Sequence, residues 1–463
     1  MLAITGIVLS LVLLMYLAYR GINVLVLAPA LALFAVLFSG ESGTLLGTYT
    51  QVFMQSLGNY VVKYFPLFML GAIFGKLMDD SGSARAIAHW LVRRLGSERS
   101  ILTIVLACGI LTYGGVSLFV VGFAVYPIAA ALFREADMPK RLIPGAIALG
   151  ALTFTMTALP GTPAIQNAIP MPFFGTDAFA APVLGILGGG VMLLGGMFWL
   201  NHRASLARVA GEGFGSHVDE ARIEEATGSG PGIALALLPI VLVILGNFAF
   251  TKYLIPALDH GYLAQPKFGA TDLGAVLGIW SIICALALAC LVLIAANWRR
   301  WTNLRDTLNK GTLGSLLPIF NTASEVGYGS VIASLGAFVV VRDFLVGLSP
   351  NNPLISEAIL VNALAGITGS ASGGMSIALN TMGQTYLQLA NQFGIAPELL
   401  HRVASIASGG LDALPHNGAV ISLLAICGLT HRQSYSDIFV VAVAIPLLAL
   451  ALVIALGTAF GAF

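Results

Sequence analysis

The chain has 463 residues, of which 58% are hydrophobic and only 9% are charged. An ordinary soluble domain carries roughly 25% charged residues, so this composition excludes a water-soluble globular protein and indicates a polytopic membrane protein. The formal net charge is +1, and the sequence has neither a basic tract for nucleic acid nor an acidic tail.

Apolar segments follow one another along the whole chain, and several approach or exceed the ~20 residues that cross the hydrocarbon core of a bilayer. Residues 2–19 are interpreted as a retained first span, because no basic residue precedes them and no small-residue cleavage site follows before Arg20. The segments are 2–19, 22–39, 57–78, 101–133, 142–175, 178–200, 231–250, 272–296, 313–341, 354–391, 398–427 and 438–461.

Two of these segments are interrupted by glycine and serine: 101–133 at residues 112–115 and 354–391 at residues 366–374. Because cytoplasmic loops are rich in Lys and Arg, the basic clusters that flank 101–133 both belong in the cytoplasm, so this segment enters and returns as a re-entrant hairpin. Non-helical backbone at membrane depth is tolerated only where it is buried in protein or lines a cavity. The basic clusters are 76–99, 134–141, 203–222 and 299–310.

The same rule predicts the threading of the whole chain: five crossings and a hairpin up to residue 200, then five crossings and a second hairpin. Seventeen of the 22 Lys and Arg residues then lie in the cytoplasm or at its boundary. We therefore expect a multi-pass protein of the cell (inner) membrane with both termini extracytoplasmic. The exceptions are Lys63, Lys252, Lys267, Arg342 and Arg402.

Two inverted repeats are predicted within this all-α fold, because an odd number of spans per half gives homologous halves opposite orientations. YFPLF at 64–68 matches LLPIF at 316–320 with an offset of 252, and ALPGTPAI at 158–165 matches ALPHNGAV at 413–420 with an offset of 255. The predicted organisation is a first repeat 1–200 (hairpin 101–133, broken span 142–175), a cytoplasmic linker 201–230, and a second repeat 231–463 (hairpin 354–391, broken span 398–427).

The two hairpin tips and two broken spans converge on one predicted substrate site. Each break exposes backbone N–H groups at a helix N-terminus, which suits the carboxylate of a small hydroxylated anion. The alternative is that these small residues serve only close helix packing. The candidate substrate-binding residues are Thr112, Tyr113, Gly114, Gly115, Ser117, Thr157, Gly161, Thr162, Gln166, Asn167, Gly369, Ser370, Ser372, Gly373, His416 and Asn417.

Only two acidic residues, Glu325 and Asp412, are interpreted as lying deep in apolar segments, and each is a candidate for the coupling ion because a membrane-buried carboxylate is costly. The alternatives are an N-cap role for Asp412 and a structural hydrogen bond for Glu325. His416, interpreted as the only histidine inside an apolar motif, is a third coupling candidate. It could also donate to substrate or merely satisfy a buried polar group.

Neither an enzyme nor a metal protein is predicted. The sequence has no HExxH, GxSxG or CxxC motif, and the four cysteines are interpreted as core residues. VGYG at 326–329 is similar to a potassium-filter sequence, but Glu325 stands where the filter has threonine. No cofactor is expected beyond a coupling ion, H⁺ or alternatively Na⁺.

ALPGTPAIQN at 158–167 and SGGLDALPHNGAVI at 408–421 resemble the gluconate permease (GntP) family of the ion transporter superfamily, over essentially the whole chain. The resemblance implies a cation-coupled importer of small hydroxy acids, a homodimer, an elevator-like motion, and substrate contacts at the two tips and two breaks. Gly114 stands where gluconate-type permeases resemble FYE, and LPGTP at 159–163 stands where they resemble PPHPGP. The sequence is therefore closer to the 3-hydroxybutyrate permease-like branch.

The function predicted from the sequence is symport of a small hydroxy-monocarboxylate, similar to 3-hydroxybutyrate or gluconate, across the lipid bilayer. A passive anion channel is the alternative from another class, and a membrane-embedded enzyme is a third. Inverted repeats with discontinuous helices favour alternating access over a fixed pore.

Overall fold

The computed structural model describes residues 2–215 and 230–463, and every regular element in these ranges is a helix. The helices are Leu2–Tyr19, Val24–Phe38, Ser42–Asp80, Ser83–Leu95, Ser100–Tyr113, Leu118–Glu135, Ile143–Ala151, Phe154–Thr157, Ile165–Ala168, Met171–Phe174, Pro182–Val209, Ile233–Leu254, Leu273–Ala296, Leu304–Ser334, Phe338–Gly347, Pro353–Thr368, Ala371–Phe393, Pro397–Ser408, Gly418–Ile426 and His431–Phe460.

Within the described residues, five helices are long and apolar enough to cross a membrane, and the predicted all-α membrane fold is confirmed. The segments 101–133, 142–175, 354–391 and 398–427 are broken, as their glycine and proline runs predicted, whereas 2–19 and 22–39 are shorter unbroken helices. The five long apolar helices are Ser42–Asp80, Pro182–Val209, Ile233–Leu254, Leu273–Ala296 and His431–Phe460.

The Ser42–Asp80 and Leu304–Ser334 helices, here called the long helix pair, pack antiparallel along their length. The Thr307 hydroxyl donates to Asp80 Oδ2 at 2.6 Å. Gly311 packs against the backbone of Ile73, and Gly327 packs against Phe53 at the other end of the pair. The N-terminal part of each helix therefore packs against the C-terminal part of the other.

Predicted spans and observed helices differ at two places. The segment 313–341 is not one straight helix, because Leu335 adopts an extended backbone (ψ 134°) and the following helix, Phe338–Gly347, is bent by 95°. The segment 178–200 continues as helix to Val209, inside the predicted linker 201–230. Residues 216–229 of that linker lie outside the described residues.

Each hairpin consists of two helices with a short break between them. The first hairpin is Ser100–Tyr113 with Leu118–Glu135, and the second is Pro353–Thr368 with Ala371–Phe393. In the second, Gly374 packs directly on the backbone of Ala365, and no Cβ would fit there. Nearer the open end, the Ser356 hydroxyl donates to Tyr386 Oη at 3.2 Å. Its two arms therefore stay in contact as an antiparallel pair.

Most of the basic clusters lie together at one end of the molecule, here called the basic end. Buried Asp437 accepts hydrogen bonds from Arg141 (3.2 Å) and Arg203 (2.9 Å). Arg99, Met138 and Arg208 line one cleft, so both ends of the first hairpin lie here. The Ser83–Leu95 helix connects this group to the Asp80–Thr307 contact.

The open end of the second hairpin lies with a different set of loops. Asn352, just before its first arm, donates to Thr458 Oγ1 at 2.8 Å. Glu398, just after its second arm, lines a cavity with Lys252 and Phe463. The two hairpins therefore begin and end among different loops, with their tips inside the protein.

Candidate functional site

The second hairpin tip and the second break (residues 409–417) are in direct contact. The Asn417 amide nitrogen donates to Gly369 O at 2.8 Å and to Asp412 Oδ1 at 2.9 Å. The His416 ring nitrogen Nε2 lies 2.9 Å from Gly366 O. Residues predicted separately from the tip and the break therefore form one cluster.

Asn417, and not Asp412, caps the helix that follows the second break. Its side-chain oxygen accepts from the backbone amides of Ala419 (2.6 Å) and Val420 (3.1 Å). The N-cap interpretation of Asp412 is therefore wrong. Asp412 is buried and accepts a hydrogen bond from the capping residue itself.

Glu325 approaches the same tip from the long helix pair. Its carboxylate lies so close to the Gly373 Cα that a Cβ at this position would overlap it. Ser370 caps the second arm by accepting from Gly373 N at 3.0 Å, and the Ser372 hydroxyl lies 3.3 Å from that of Thr322. The carboxylate therefore faces the positive end of a 23-residue helix.

One oxygen of this carboxylate, Glu325 Oε2, is buried without a hydrogen-bond partner among the described residues. Buried polar atoms are almost always satisfied, so an unsatisfied carboxylate oxygen indicates a position for a proton or a cation. The alternative interpretation of Glu325, as a structural hydrogen-bond partner, stays open, because the Ser370 side chain lies within reach of the carboxylate. The predicted tip residues Gly369 to Gly373 thus lie between two buried acids, Glu325 and Asp412.

The first hairpin tip meets the first break (residues 158–164) in a similar way. The Tyr113 hydroxyl donates to Pro160 O at 2.6 Å. Gly115 packs against Pro163, while Gly114 packs against Ile240 of the Ile233–Leu254 helix. Tyr113 and Gly114 therefore hold the tip in place.

A cavity of about 490 Å³, the first cavity, separates this tip and break from the long helix pair. Four predicted substrate-binding residues line it: Thr112, Gly115, Ser117 and Gln166. The long helix pair contributes the opposite wall, which consists of Leu67, Phe68, Gly71, Ala72, Lys76, Lys310, Gly311, Gly314, Ser315 and Pro318.

The polar groups of the first cavity are donors. Thr112 Oγ1 is buried and has no hydrogen-bond partner among the described residues. The Leu118–Glu135 helix begins at the cavity wall, where its first amide groups lack intrahelical acceptors. Lys76 and Lys310 add two ammonium groups, each already paired with an aspartate of its own helix, Asp80 and Asp306.

Other residues predicted to bind substrate at the first break instead make hydrogen bonds where the two broken spans cross. Thr157 O accepts from the Ser405 hydroxyl at 2.8 Å. The Asn167 amide nitrogen donates to Thr162 O at 3.1 Å. Asn247 donates to Gly161 O at 3.2 Å. Their polar groups are engaged by the protein, so the structure gives these residues a structural role in this conformation.

The sequence analysis missed two fully buried residues of this crossing, His401 and Arg402. Arg402 donates to Ala180 O at 2.7 Å and to Asn167 Oδ1 at 3.3 Å, and no described carboxylate pairs with it. His401 lies 3.2 Å from the same Asn167 oxygen. In the sequence, Arg402 is one of the five basic residues that the predicted threading places away from the cytoplasm. This exception could have marked it as a candidate site residue.

Glu357 was also missed. It is the fourth residue of the segment 354–391, it is fully buried, and neither carboxylate oxygen has a described partner. The interpretation of Glu325 and Asp412 as the only deep acids is therefore wrong. The hairpin carries this third acid in its first arm.

Comparisons with known proteins identify the family. The family profile described as GntP family permease matches residues 1–457. The chain belongs to the GntP permease family. The uncharacterized transporter YxjC of Bacillus subtilis (strain 168) is 48% identical over 450 residues, which are 94% of each chain. The high-affinity gluconate transporter of Escherichia coli (strain K12) is 31% identical over 147 residues, 31% of this chain and 30% of that protein.

A solved structure shares the fold. The crystal structure of the Alcanivorax borkumensis YdaH transporter matches with a TM-score of 0.56 at 15% identity, covering 88% of each chain. Because its family and its relatives are permeases and transporters, the GntP permease described here is a multi-pass membrane transporter and not an enzyme. Its hairpin tips, breaks and buried acids belong to a protein that moves a solute across a membrane.

Proposed function

We propose that this GntP permease imports a small hydroxy-monocarboxylate, similar to 3-hydroxybutyrate, by proton-coupled symport. The observation that carries the proposal is the first cavity, where an unpartnered Thr112 hydroxyl and the N-terminus of the Leu118–Glu135 helix face a space of about 490 Å³. Backbone N–H groups at a helix N-terminus bind carboxylates without further help.

The cavity wall favours an acid with few hydroxyl groups. Besides Thr112, only Ser117, Gln166, Ser315 and the two lysines bring polar side chains to it. A polyol chain such as gluconate would leave hydroxyls facing apolar side chains, and each unpaired hydroxyl costs free energy. The apolar lining residues include Leu67, Phe68, Val116, Leu118, Val120, Met156 and Pro163.

Coupling is proposed to reside in the second tip and break. Asp412 and Glu325 are buried on either side of the tip, and His416 bonds the tip backbone at Gly366. A carboxyl group in such a position can be neutralised by a proton or paired with sodium. We favour the proton, because Glu325 and Asp412 are single buried carboxyl groups, and one proton neutralises each of them.

Alternating access is proposed to occur by an elevator-type movement of the hairpins and broken spans against the long helix pair. The first cavity lies at this boundary, with one wall from each side. The antiparallel long helix pair and the separate loops at which the two hairpins open support two inverted repeats. The repeats bounded at 1–200 and 231–463 stay a proposal.

The proposed membrane orientation rests on the basic end. Since Arg141, Arg203 and the Asp80–Thr307 contact lie there, the positive-inside rule assigns that end to the cytoplasm, with both termini extracytoplasmic in the inner membrane. A homodimer is proposed from the family resemblance alone. Cross-linking in native membranes would test it by giving a band at twice the monomer mass.

The proposed function is tested by uptake into proteoliposomes. Labelled 3-hydroxybutyrate should accumulate when an inward proton gradient is imposed, exchange by counterflow without a gradient, and compete with gluconate only weakly. Replacing internal and external potassium by sodium in turn separates proton from sodium coupling. Flux that ignores both gradients would contradict symport, and single-channel currents would establish the passive channel instead.

A further inference from the structure

A second, smaller cavity lies further along the long helix pair. It has a volume of about 170 Å³ and is here called the Lys63 cavity. The first cavity takes residues 67–76 and 310–318 from the long helix pair, whereas the Lys63 cavity takes residues 56–64 and Val326. Because the two helices run antiparallel, the cavities lie on opposite sides of the level of Pro66 and Pro318.

The wall of the Lys63 cavity is polar and contains no acid. Lys63 is exposed at its edge, with the ammonium 5.8 Å from the centre of the Phe173 ring. Within the described part of the chain this lysine forms no ion pair, whereas Lys76, Lys252 and Lys310 each pair with an aspartate. The lining residues are Ser56, Asn59, Tyr60, Lys63, Tyr64, Phe173, Val326, Ser376 and Asn380.

Two buried hydroxyl groups of this wall are unsatisfied. Tyr60 is 6% exposed and Ser376 is 2% exposed, and neither hydroxyl has a hydrogen-bond partner of good geometry among the described residues. The two hydroxyls adjoin each other without forming a hydrogen bond of good geometry, so both can turn to donate to a ligand. An unpaired cation beside two hydroxyl donors favours an anion.

The size of the cavity limits that anion. At about 170 Å³ it is smaller than the ~300–1,000 Å³ of sites for drug-sized ligands, so it admits only a few heavy atoms. The side chains also come from parts of the protein that the elevator proposal moves against each other: Lys63 and Tyr60 from the long helix pair, and Ser376 from the second hairpin. A ligand here would bridge the two.

We propose that the Lys63 cavity binds a short monocarboxylate, with the carboxylate against Lys63 and the Tyr60 and Ser376 hydroxyls donating to it. The choice of a monocarboxylate as ligand rests on the proposed transport function. Under that function, the Lys63 cavity is a second binding position for the transported anion, beyond the level of Pro66 and Pro318. The experiment must distinguish binding of a carboxylate from binding of an inorganic anion in the same cavity.

The test is protection of Lys63 from an amine-reactive label in the purified protein, measured by mass spectrometry. Acetate and 3-hydroxybutyrate should slow labelling of Lys63 at least fivefold at saturation, at constant ionic strength. Lys267 is the matched control, because it is also exposed and lies over a phenylalanine, 5.4 Å from the Phe268 ring centre. Its labelling should not change.

Variants that keep Lys63 as the reporter complete the test. Tyr60→Phe and Ser376→Ala should each raise the half-protecting concentration of 3-hydroxybutyrate at least fivefold, whereas Tyr16→Phe, at an exposed position, should not. Unchanged Lys63 labelling with every carboxylate, or equal protection by chloride, would overturn the proposal. Protection by acetate in a protein that fails to transport 3-hydroxybutyrate would leave the cavity assigned and refute the transport substrate.

Discussion

The carboxylate of Glu325 rests against the Cα of Gly373, 48 residues away in the sequence and at the first turn of the second arm of the second hairpin. The contact joins the long helix pair to the hairpin tip and leaves no room for any side chain at position 373. It makes both residues sensitive to substitution, for different reasons.

Gly373→Ala should displace Glu325 and reduce gradient-driven uptake at least tenfold. Overpacking of a buried site costs about 1–3 kcal/mol, so the apparent melting temperature should also fall. Gly190→Ala is the matched control, since nothing lies within 4 Å of a Cβ there. If the clash is the cause, Glu325→Ala added to Gly373→Ala should restore the melting temperature without restoring coupling.

Asp412→Asn should abolish accumulation against a gradient while preserving counterflow. The asparagine oxygen can still accept from Asn417, so the cap of the following helix and the fold should survive. Counterflow and proton-driven accumulation are measured on the same proteoliposome preparation. Full accumulation by the variant would remove Asp412 from the coupling site.

Thr112→Val should raise the KM for 3-hydroxybutyrate about tenfold, which corresponds to about 1.4 kcal/mol of lost binding. Because Thr112 Oγ1 has no described partner, the fold loses no hydrogen bond and the melting temperature should not fall. Thr103→Val is the matched control, because the buried Thr103 hydroxyl donates to Arg99 O at 3.0 Å. This variant should lower the melting temperature and leave the KM unchanged. Wild-type kinetics for Thr112→Val would argue that the first cavity is not the substrate site.

Asp437→Asn should destabilise the protein by about 3 kcal/mol, because it leaves Arg141 and Arg203 without their buried counter-charge. The matched control is Asp343→Asn, whose pair with Arg342 is largely exposed and contributes little. Thermal unfolding in detergent measures both. Equal melting temperatures for the two variants would contradict a structural role for the basic-end network.

The same network carries a pH dependence at Glu212. Hydrogen bonds from Arg141 at 2.6 and 2.8 Å lower the pKa of this carboxyl group. A lowered folded-state pKa contributes stability above the ordinary value and loses it as pH falls through the lowered one. Wild-type protein should therefore lose stability more steeply on acidification than Glu212→Gln, measured by thermal unfolding across the acidic range.

The membrane fold and its interruptions could be predicted from the sequence, because both depend on local properties. Hydropathy over about 20 residues determines which segments cross a bilayer. Glycine and proline runs mark where a helix breaks, and the four breaks lie at or beside those runs, near Gly115, Gly161, Gly369 and Gly410. The bend within the segment 313–341 was not predicted, because hydropathy does not register the single extended residue, Leu335, that ends the Leu304–Ser334 helix.

The roles of individual site residues could be predicted only in part. Thr112 and Gln166 line the first cavity, whereas Thr157 and Asn167, equally plausible by composition, support the crossing of the broken spans. Asn417 caps the helix after the second break, a role that was the alternative interpretation of Asp412. Hydroxyl and amide side chains suit a substrate and a helix end equally well, so residue type alone does not separate these roles.

By itself, the sequence determined that this GntP permease is a helical membrane protein with two interrupted hairpins, two broken spans and buried acids. Only the tertiary structure decided that Glu325 meets Gly373, that Arg402 and Glu357 are buried, and that Lys63 lies unpaired beside a second cavity. The reason is physical: hydropathy and backbone breaks act within about 20 residues of chain, whereas these contacts join helices far apart in the sequence and exist only once the helices pack.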